Sequence, residues 1–379
     1  MPVFVCSDLH LGEPLGARMF SDNAQGLRFA ELCELVARTS GELVLLGDIF
    51  DLTAAMPPRR GLDAFARSVG VASIAARDPR PIAEVMAQIR DANPRTLEAL
   101  ESLAAEAPVT LVPGNHDRHL GEPGGREALD AAGLAGVRIE ATAVRRIGEH
   151  VAVLQHGHAW DPSNATPAGG GEVMTGVLYH AVIPYLRSLE ARANVSIEPD
   201  RVALLRPEER VVPVLERWLP PGRFEIFLDA FLELLVENGY LSRALAWLAT
   251  PLRIRERLKT DDDLWERSGR SALAALEGTV ALAGNPPPAD VLVLGHTHVI
   301  DWAVQEGRPR LDARTGKPLP VQRLYVNLGS WTARASDAAG PLDAILPVLE
   351  LEEAPRALHA RLRDLAGRSR TLQTFEVPR

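Results

Sequence analysis

Cysteine is scarce: Cys6 and Cys33 are the only two among 379 residues. One lies inside an apolar run and the other in a helical pattern. They cannot build a disulfide framework, so a reducing, cytoplasmic setting fits. Lysine is scarcer relative to its usual use, with Lys259 and Lys317 alone, and arginine carries the positive charge. The plainest source of that bias is genomic base composition. Positive charge is not in excess either: the net charge is -9, which disfavours a nucleic-acid-binding groove. No apolar run reaches the about 20 residues that a membrane-spanning helix needs. No basic, apolar leader precedes the first strand, so no signal peptide is expected. What remains is ordinary for a water-soluble chain, 46% apolar and 24% charged, and long enough for one large domain or two.

What is present is a repeated construction at the ends of apolar runs. Val291-Leu-Val-Leu-Gly-His-Thr-His298 reads as a strand buried on both faces. Gly295 turns the backbone, and His296 and His298 follow on a tight loop. Imidazole is a common metal ligand, and two rings one residue apart suit two neighbouring metals. Alone, the pair is as well read as incidental. The same construction recurs. Val3 to Cys6 leads to Asp8 and His10. Leu43 to Leu46 leads to Gly47, Asp48 and Asp51. Val109 to Val112 leads to Gly114, Asn115, His116 and Asp117. Val151 to Gln155, predicted to form a hairpin with residues 137 to 147, leads to His156, Gly157, His158 and Asp161. A polar turn or a helix cap explains any one of these. Five strand-end loops that all carry Asp, Asn and His point to a metal site.

Between the runs the spacing predicts helices. Residues 23 to 39 form one, with Leu27, Cys33, Leu35 and Val36 on its apolar face and Gly41 as its C-cap. Another starts at Asn93-Pro94, with asparagine as cap and Leu97, Leu100 and Leu103 on one side. Residues 54 to 92 are a helical excursion of unassigned detail. Strands alternating with helices predict an α/β layered fold with its site at the carboxyl ends of the strands.

Residues 162 to 285 lack ligand clusters and read as helical, with helices over Val177 to Leu189, Tyr240 to Leu252 and Leu264 to Leu282. From Phe224 to Val236 only Glu225, Asp229 and Glu233 are polar. That single acidic stripe leaves an apolar surface at Phe224, Phe227, Phe231 and Leu235, which packs internally or receives an apolar partner. The basic run from Leu252 to Lys259 reads as a solvated face. After His298, Trp302 to Val304 and Arg323 to Val326 read as strands, and Asn327 to Trp331 as a brace for the site. Ile345 to Leu351 and Leu358 to Leu365 read as a hairpin.

Asp8-x-His10, Gly47-Asp48-x-x-Asp51, Gly114-Asn115-His116-Asp117, His156-Gly157 and Gly295-His296-Thr297-His298 together resemble the calcineurin-like metallophosphoesterase superfamily. The likeness covers residues 1 to 161 and 290 to 331. It implies a four-layer α/β/β/α sandwich, here formed by residues 1–161 and 286–379. Residues 162–285 leave the sheet just after His156 and return just before His296, so they read as a helical cap inserted at the rim of the site. It implies two divalent metals, Mn2+ first, with Fe, Zn, Ni or Co as alternatives. Asp8, His10, Asp48 and His298 would hold one, and Asp48, Asn115, His156 and His296 the other. Two such metals about 3.5–4 Å apart clamp a phosphoryl group and activate a bridging hydroxide. His116 is implied as the acid at the leaving group, with Asp51 fixing its ring. His158, Asp117, Arg118 and Asp161 are candidates for contacting substrate or orienting a ligand.

Two departures narrow the class. Leu52 and Asp117 stand where phosphoprotein phosphatases have arginine and glutamate. The Asp-Leu-His-Leu-Gly opening and the apolar insertion resemble UDP-2,3-diacylglucosamine pyrophosphohydrolases, which have arginine at the place of His116. The expected substrate is therefore a small-molecule or lipid-linked phosphoester or pyrophosphate, with peripheral membrane contact as an option. A catalytically silent binding module of the same fold is the competing class.

Overall fold

The computed structural model describes residues 1–13, 19–56, 60–71, 80–161, 164–165, 167, 169–193, 199–205, 211–240, 289–311, 318–332, 345–366 and 369–378. The first sheet contains β1 (Val3–Cys6), β2 (Glu42–Leu46), β3 (Val109–Val112) and β4 (Arg138–Ile139). The second contains β5 (Ala143–Ile147), β6 (His150–Leu154), β7 (Val291–Leu294), β8 (Ile300–Leu311) and β9 (Pro318–Leu328). The last three strands, β10 (Pro347–Ala354), β11 (Ala357–Asp364) and β12 (Arg370–Pro378), return to the first. The sheet orders are β12-β11-β10-β1-β2-β3-β4 and β5-β6-β7-β9-β8. Strands β1 to β4 run parallel, as do β6, β7 and β9.

The period-2 alternation of side chains sorts β1, β2 and β3 into two cores. Val3, Val5, Val44, Leu46 and Val112 face the second sheet and pack with Ala152, Leu154, Val291, Val293, Leu324 and Val326. Phe4, Cys6, Leu43, Leu45, Val109 and Leu111 face the helices instead. That helical layer comprises α1 (Gln25–Arg38), α3 (Ile82–Ala92), α4 (Pro94–Glu106) and α5 (Gly125–Ala131). The outer face of the second sheet buries Val151, Val153, Leu292, Leu294 and Tyr325, with Trp160 packed against them. The result is a layered α/β fold, as the residue pattern predicts, and its two facing sheets are those the resemblance implies.

Several local expectations are corrected. Leu27 is exposed; Phe29, Leu32, Cys33 and Val36 form the buried face of α1. The left-handed residue that ends α1 is Ser40, at φ 48°, not Gly41. Asn93 stands at the N-cap of α4 but does not cap it; its amide donates to the carbonyls of Gly12 and Ile89. Asp22 caps the helix from outside, accepting from Arg95 N at 3.1 Å and Thr96 N at 3.0 Å. Residues 138–139 are not part of the hairpin with β6 but the edge of the first sheet. The pairing of β10 with β11 follows expectation, and β12 adds a strand that was not expected.

The insertion forms a second, helical unit. It contains α6 (Gly170–Val177), a π-turn at Leu178–Val182, α7 (Ile183–Ala193), α8 (Pro199–Val202), α9 (Val211–Trp218) and α10 (Pro221–Glu237). Its core takes in Leu62, Phe65 and Ala66 of α2 (Leu62–Ser68), far away in sequence. Phe224, Phe227, Phe231 and Leu235 are buried in this core, so they form its interior rather than an open groove. Phe227 stacks between Tyr185 and Phe231, with ring centroids at 5.7 and 5.4 Å. Glu225, Asp229 and Glu233 face outward. The expected helices at 240 to 252 and 264 to 282, and the basic run at 252 to 259, lie beyond the described residues except for Tyr240. Among the described residues no helix is long and apolar enough to cross a membrane.

Candidate metal centre

The carboxyl ends of β1, β2, β3, β6 and β7 bring all five loops together. Asp8, His10, Asp48, Asn115, His116 and His156 are buried there, and His296 nearly so. Five of these loop residues take left-handed backbone: Asp8, His10, Asp48, His296 and His298, at φ 54°, 51°, 51°, 72° and 56°. Such a conformation in a non-glycine residue costs about 1–3 kcal/mol and persists only where the surroundings impose it. Here they do. Asp8 N donates to Gly47 O at 3.0 Å and His10 N to Asp48 O at 2.9 Å, lacing the first loop to the second.

Asp117 is the clamp beneath those loops. It accepts from the backbone N–H groups of Gly114, Ile49, Asp48 and Phe50, at 2.6, 2.8, 3.3 and 3.3 Å. Burial pushes its carboxyl up to about 6, against the pull of those four donors. Asn327 to Trp331 brace the other side. Asn327 Nδ2 donates to Gly295 O at 2.9 Å, and Ser330 Oγ and Trp331 N donate to Asp8 O at 2.9 and 3.1 Å.

The side chains converge into two ligand groups able to hold a metal. Asp8, His10 and His298 form one, and Asp48, His156 and His296 the other. The groups touch: His156 Nε2 is 3.4 Å from Asp8 Oδ1 and 3.3 Å from Asp48 Oδ2. His298 Nε2 is 3.3 Å from Asp8 Oδ1, and the Nε2 atoms of His10 and His298 face each other at 3.2 Å. Asn115 Oδ1 is buried and receives no hydrogen bond among the described residues. Burial raises the carboxyls of Asp8 and Asp48 above the ordinary range and pushes His156 down, toward its neutral form. An orphaned acceptor, two buried carboxylates and imidazole nitrogens aimed at one another fit a cation. Oxygen and imidazole donors without sulfur suit Mg-, Mn- or Zn-like ions.

Beside these groups, His116 Nδ1 lies 3.0 Å from Asp51 Oδ1. Asp51 Oδ2 lies 3.8 Å from His10 Nδ1. Burial alone would raise Asp51, but hydrogen bonds from His10 and His116 hold it well below the usual carboxylate range. His10, Asp51 and His116 also make a third potential ligand group. His158 opens a short 3-10 turn, with its Nδ1 3.2 Å from His156 Nδ1. Burial, then His156, lower it to about 3. Arg118 forms an ion pair with Glu172 of α6, and its Nε donates to Asn115 O at 3.4 Å. Asp161 Oδ2 lies 3.0 Å from His296 Nε2. Sequence reading did not single out Glu172, Asn164 or Asp22. Glu172 and Asp22 act through contacts with residues distant in the chain, and Asn164 through Asp161, three residues before it, none of which a family motif records.

Residues 1–178 match the calcineurin-like phosphoesterase family. The chain is similar to that family over this segment, and His296 and His298 lie beyond it. No curated protein matches the chain. Structural similarity is remote. A conserved predicted phosphoesterase from Streptococcus pneumoniae TIGR4 is 10% identical, with TM-score 0.32, over 100% of this chain and 97% of that one. Vps29 from Entamoeba histolytica, complexed with zinc, is 12% identical, with TM-score 0.33, over 99% of both chains. The likeness to the family rests on the sequence match over residues 1–178.

Proposed function

We propose that the protein is a binuclear metal-dependent phosphoesterase that hydrolyses a phosphomonoester, phosphodiester or pyrophosphate. The observation that carries this reading is the pair of ligand groups in contact, Asp8–His10–His298 and Asp48–His156–His296. Asn115, whose buried Oδ1 receives no hydrogen bond among the described residues, would complete the second set. Bound divalent ions, Mn2+ first, would supply Lewis acidity to the phosphoryl oxygens and to the attacking water. Asp8, His10, Asp48 and His298 would hold one ion, and Asp48, Asn115, His156 and His296 the other. The chain's own residues do the rest. Asp51 fixes the His116 ring through Nδ1, which turns Nε2 toward the substrate as the proton donor for the leaving oxygen. Arg118, which pairs with Glu172, is the candidate in this reading for meeting a phosphate oxygen.

The helical unit is the cap over this cleft in our reading. Its first helix reaches the rim through Glu172, and Arg60 exchanges hydrogen bonds with Asn238 at the end of α10, from Arg60 N at 3.3 Å and to Arg60 O at 3.0 Å. A lipid-linked UDP-sugar pyrophosphate remains one member of the substrate class. The burial of Phe224, Phe227, Phe231 and Leu235 removes the groove that favoured it. The test is turnover of a panel of phosphomonoesters, phosphodiesters and nucleotide-sugar pyrophosphates with Mn2+. Hydrolysis of at least one class, abolished by chelation, supports the reading. No hydrolysis by the metal-loaded protein favours a silent binding module.

A further inference from the structure

The segment that leaves the sandwich after His156 does more than connect it to the helical unit. Asp161 sends Oδ2 to within 3.0 Å of His296 Nε2, and its side chain retains 18% exposure. The same oxygen accepts from Asn164 Nδ2 at 2.6 Å, and Asn164 is buried at 5% exposure. The turn is held by its backbone as well. Asp161 N donates to His158 O at 3.0 Å, and Asn164 N and Ala165 N donate to Asp161 O at 2.9 and 2.8 Å. Gly171, in the first turn of α6, makes room for this arrangement, because a Cβ there would run into the Asn164 side chain.

We propose that Asp161 is a positioning residue for His296, held in place by Asn164, so that the start of the insertion is a working part of one metal site. This rests on the binuclear reading above. The physical reason lies in the two nitrogens of imidazole. A ring that donates Nε2–H to a carboxylate keeps its lone pair on Nδ1, and the carboxylate fixes the ring's rotation and raises its basicity. His296 needs such a partner. Its backbone is left-handed at φ 72°, and its N–H already serves Asp8 Oδ2 at 3.1 Å. Asp161 stands outside the Asp48–His156–His296 group, so it acts on the ring rather than as a further ligand. Its contact is with His296, so its influence falls on the metal site that His296 joins.

The experiment is Mn2+ binding to the full-length protein, followed by equilibrium dialysis against a competing chelator and by electron paramagnetic resonance of the bound ions. Wild type, Asp161→Ala, Asp161→Asn and Asn164→Ala are compared. Loss of a ring-orienting partner weakens a metal site by about 10–100-fold. The expected result is that Asp161→Ala weakens one of the two Mn2+ ions by such a factor and leaves the other at wild-type affinity. The spectrum of spin-coupled ions should give way to that of a single ion. Asp161→Asn, which keeps an acceptor oxygen, and Asn164→Ala should show smaller losses at the same ion. If Asp161→Ala fails to fold, these two variants decide the question. Wild-type affinity for both ions in every variant that folds overturns the inference, as does an equal loss at both ions. A wild type that takes up fewer than two ions overturns the binuclear reading, and this inference with it.

Discussion

Asp51 holds His116 by one edge of the imidazole, Oδ1 to Nδ1 at 3.0 Å, with both groups buried. A ring so held presents its other nitrogen to whatever occupies the cleft. His116→Ala should therefore keep both metals and lose about 10²–10⁴-fold in kcat, the usual contribution of a positioned acid. The loss should be largest on esters with poor leaving groups and small on an activated aryl ester. A loss independent of leaving group would assign His116 to positioning instead, and unchanged turnover on both would remove it from the reaction.

Gly114 is set against the site by sterics alone. A Cβ there would collide with the Asp48 carboxylate, the Asp48 backbone nitrogen and His156 Nδ1. Gly114→Ala must push at least one candidate ligand aside, and displaced ligands cost roughly 10-fold or more in metal affinity. Metal competition against a chelator reads this directly. Wild-type affinity would mean that the loop yields without disturbing Asp48.

Acid should destabilise the metal-free protein in part through His158. In the unfolded chain this residue titrates near about 6.5, and in the fold it is lowered to about 3. Between those values the unfolded chain binds a proton that the folded one does not. Stability from this group is complete above about pH 6.5 and is lost as pH falls toward 3. Asp8 and Asp48, raised by burial, titrate with the opposite sign, so the comparison must be with a variant. His158→Asn should lose less in melting temperature than wild type between pH 7.5 and pH 4.5. Equal losses would contradict the assignment.

The helical unit has a core of its own, and Phe227 is at its centre, wholly buried between Tyr185 and Phe231. Phe227→Ala should cost about 3–5 kcal/mol, the usual range for removing a buried phenylalanine. Urea unfolding measures it. A cost under 1 kcal/mol would mean that this core collapses around the gap or contributes little to the folded chain.

The site was legible in the sequence because each loop is local. A strand's apolar run, a turn and two or three donors fit within eight residues, as in Val291 to His298. The sheet assignment of residues 138–139 was not legible, since two residues carry no periodicity. The fate of Phe224 and Phe231 was not either. An apolar helix face states that something covers it, not what; here α2, more than 150 residues earlier in the chain, helps to do so. The Asp22 cap on α4 and the Asn164–Asp161–His296 contacts depend on side chains brought together only by the fold. The left-handed backbone at Asp8, His10 and Asp48 is uncommon outside glycine, though Asp and His tolerate it better than most residues, and it falls where local rules are expected to give way to function.

The most direct test of the account is the metal content of the purified chain after reconstitution with Mn2+, alongside Asp48→Asn and His10→Ala. Two ions per wild-type chain are predicted, with Asp48→Asn losing both if, as proposed, both ions use it, and His10→Ala losing mainly one. Fewer than two ions in the reconstituted wild type, or two ions retained by Asp48→Asn, would contradict the binuclear centre.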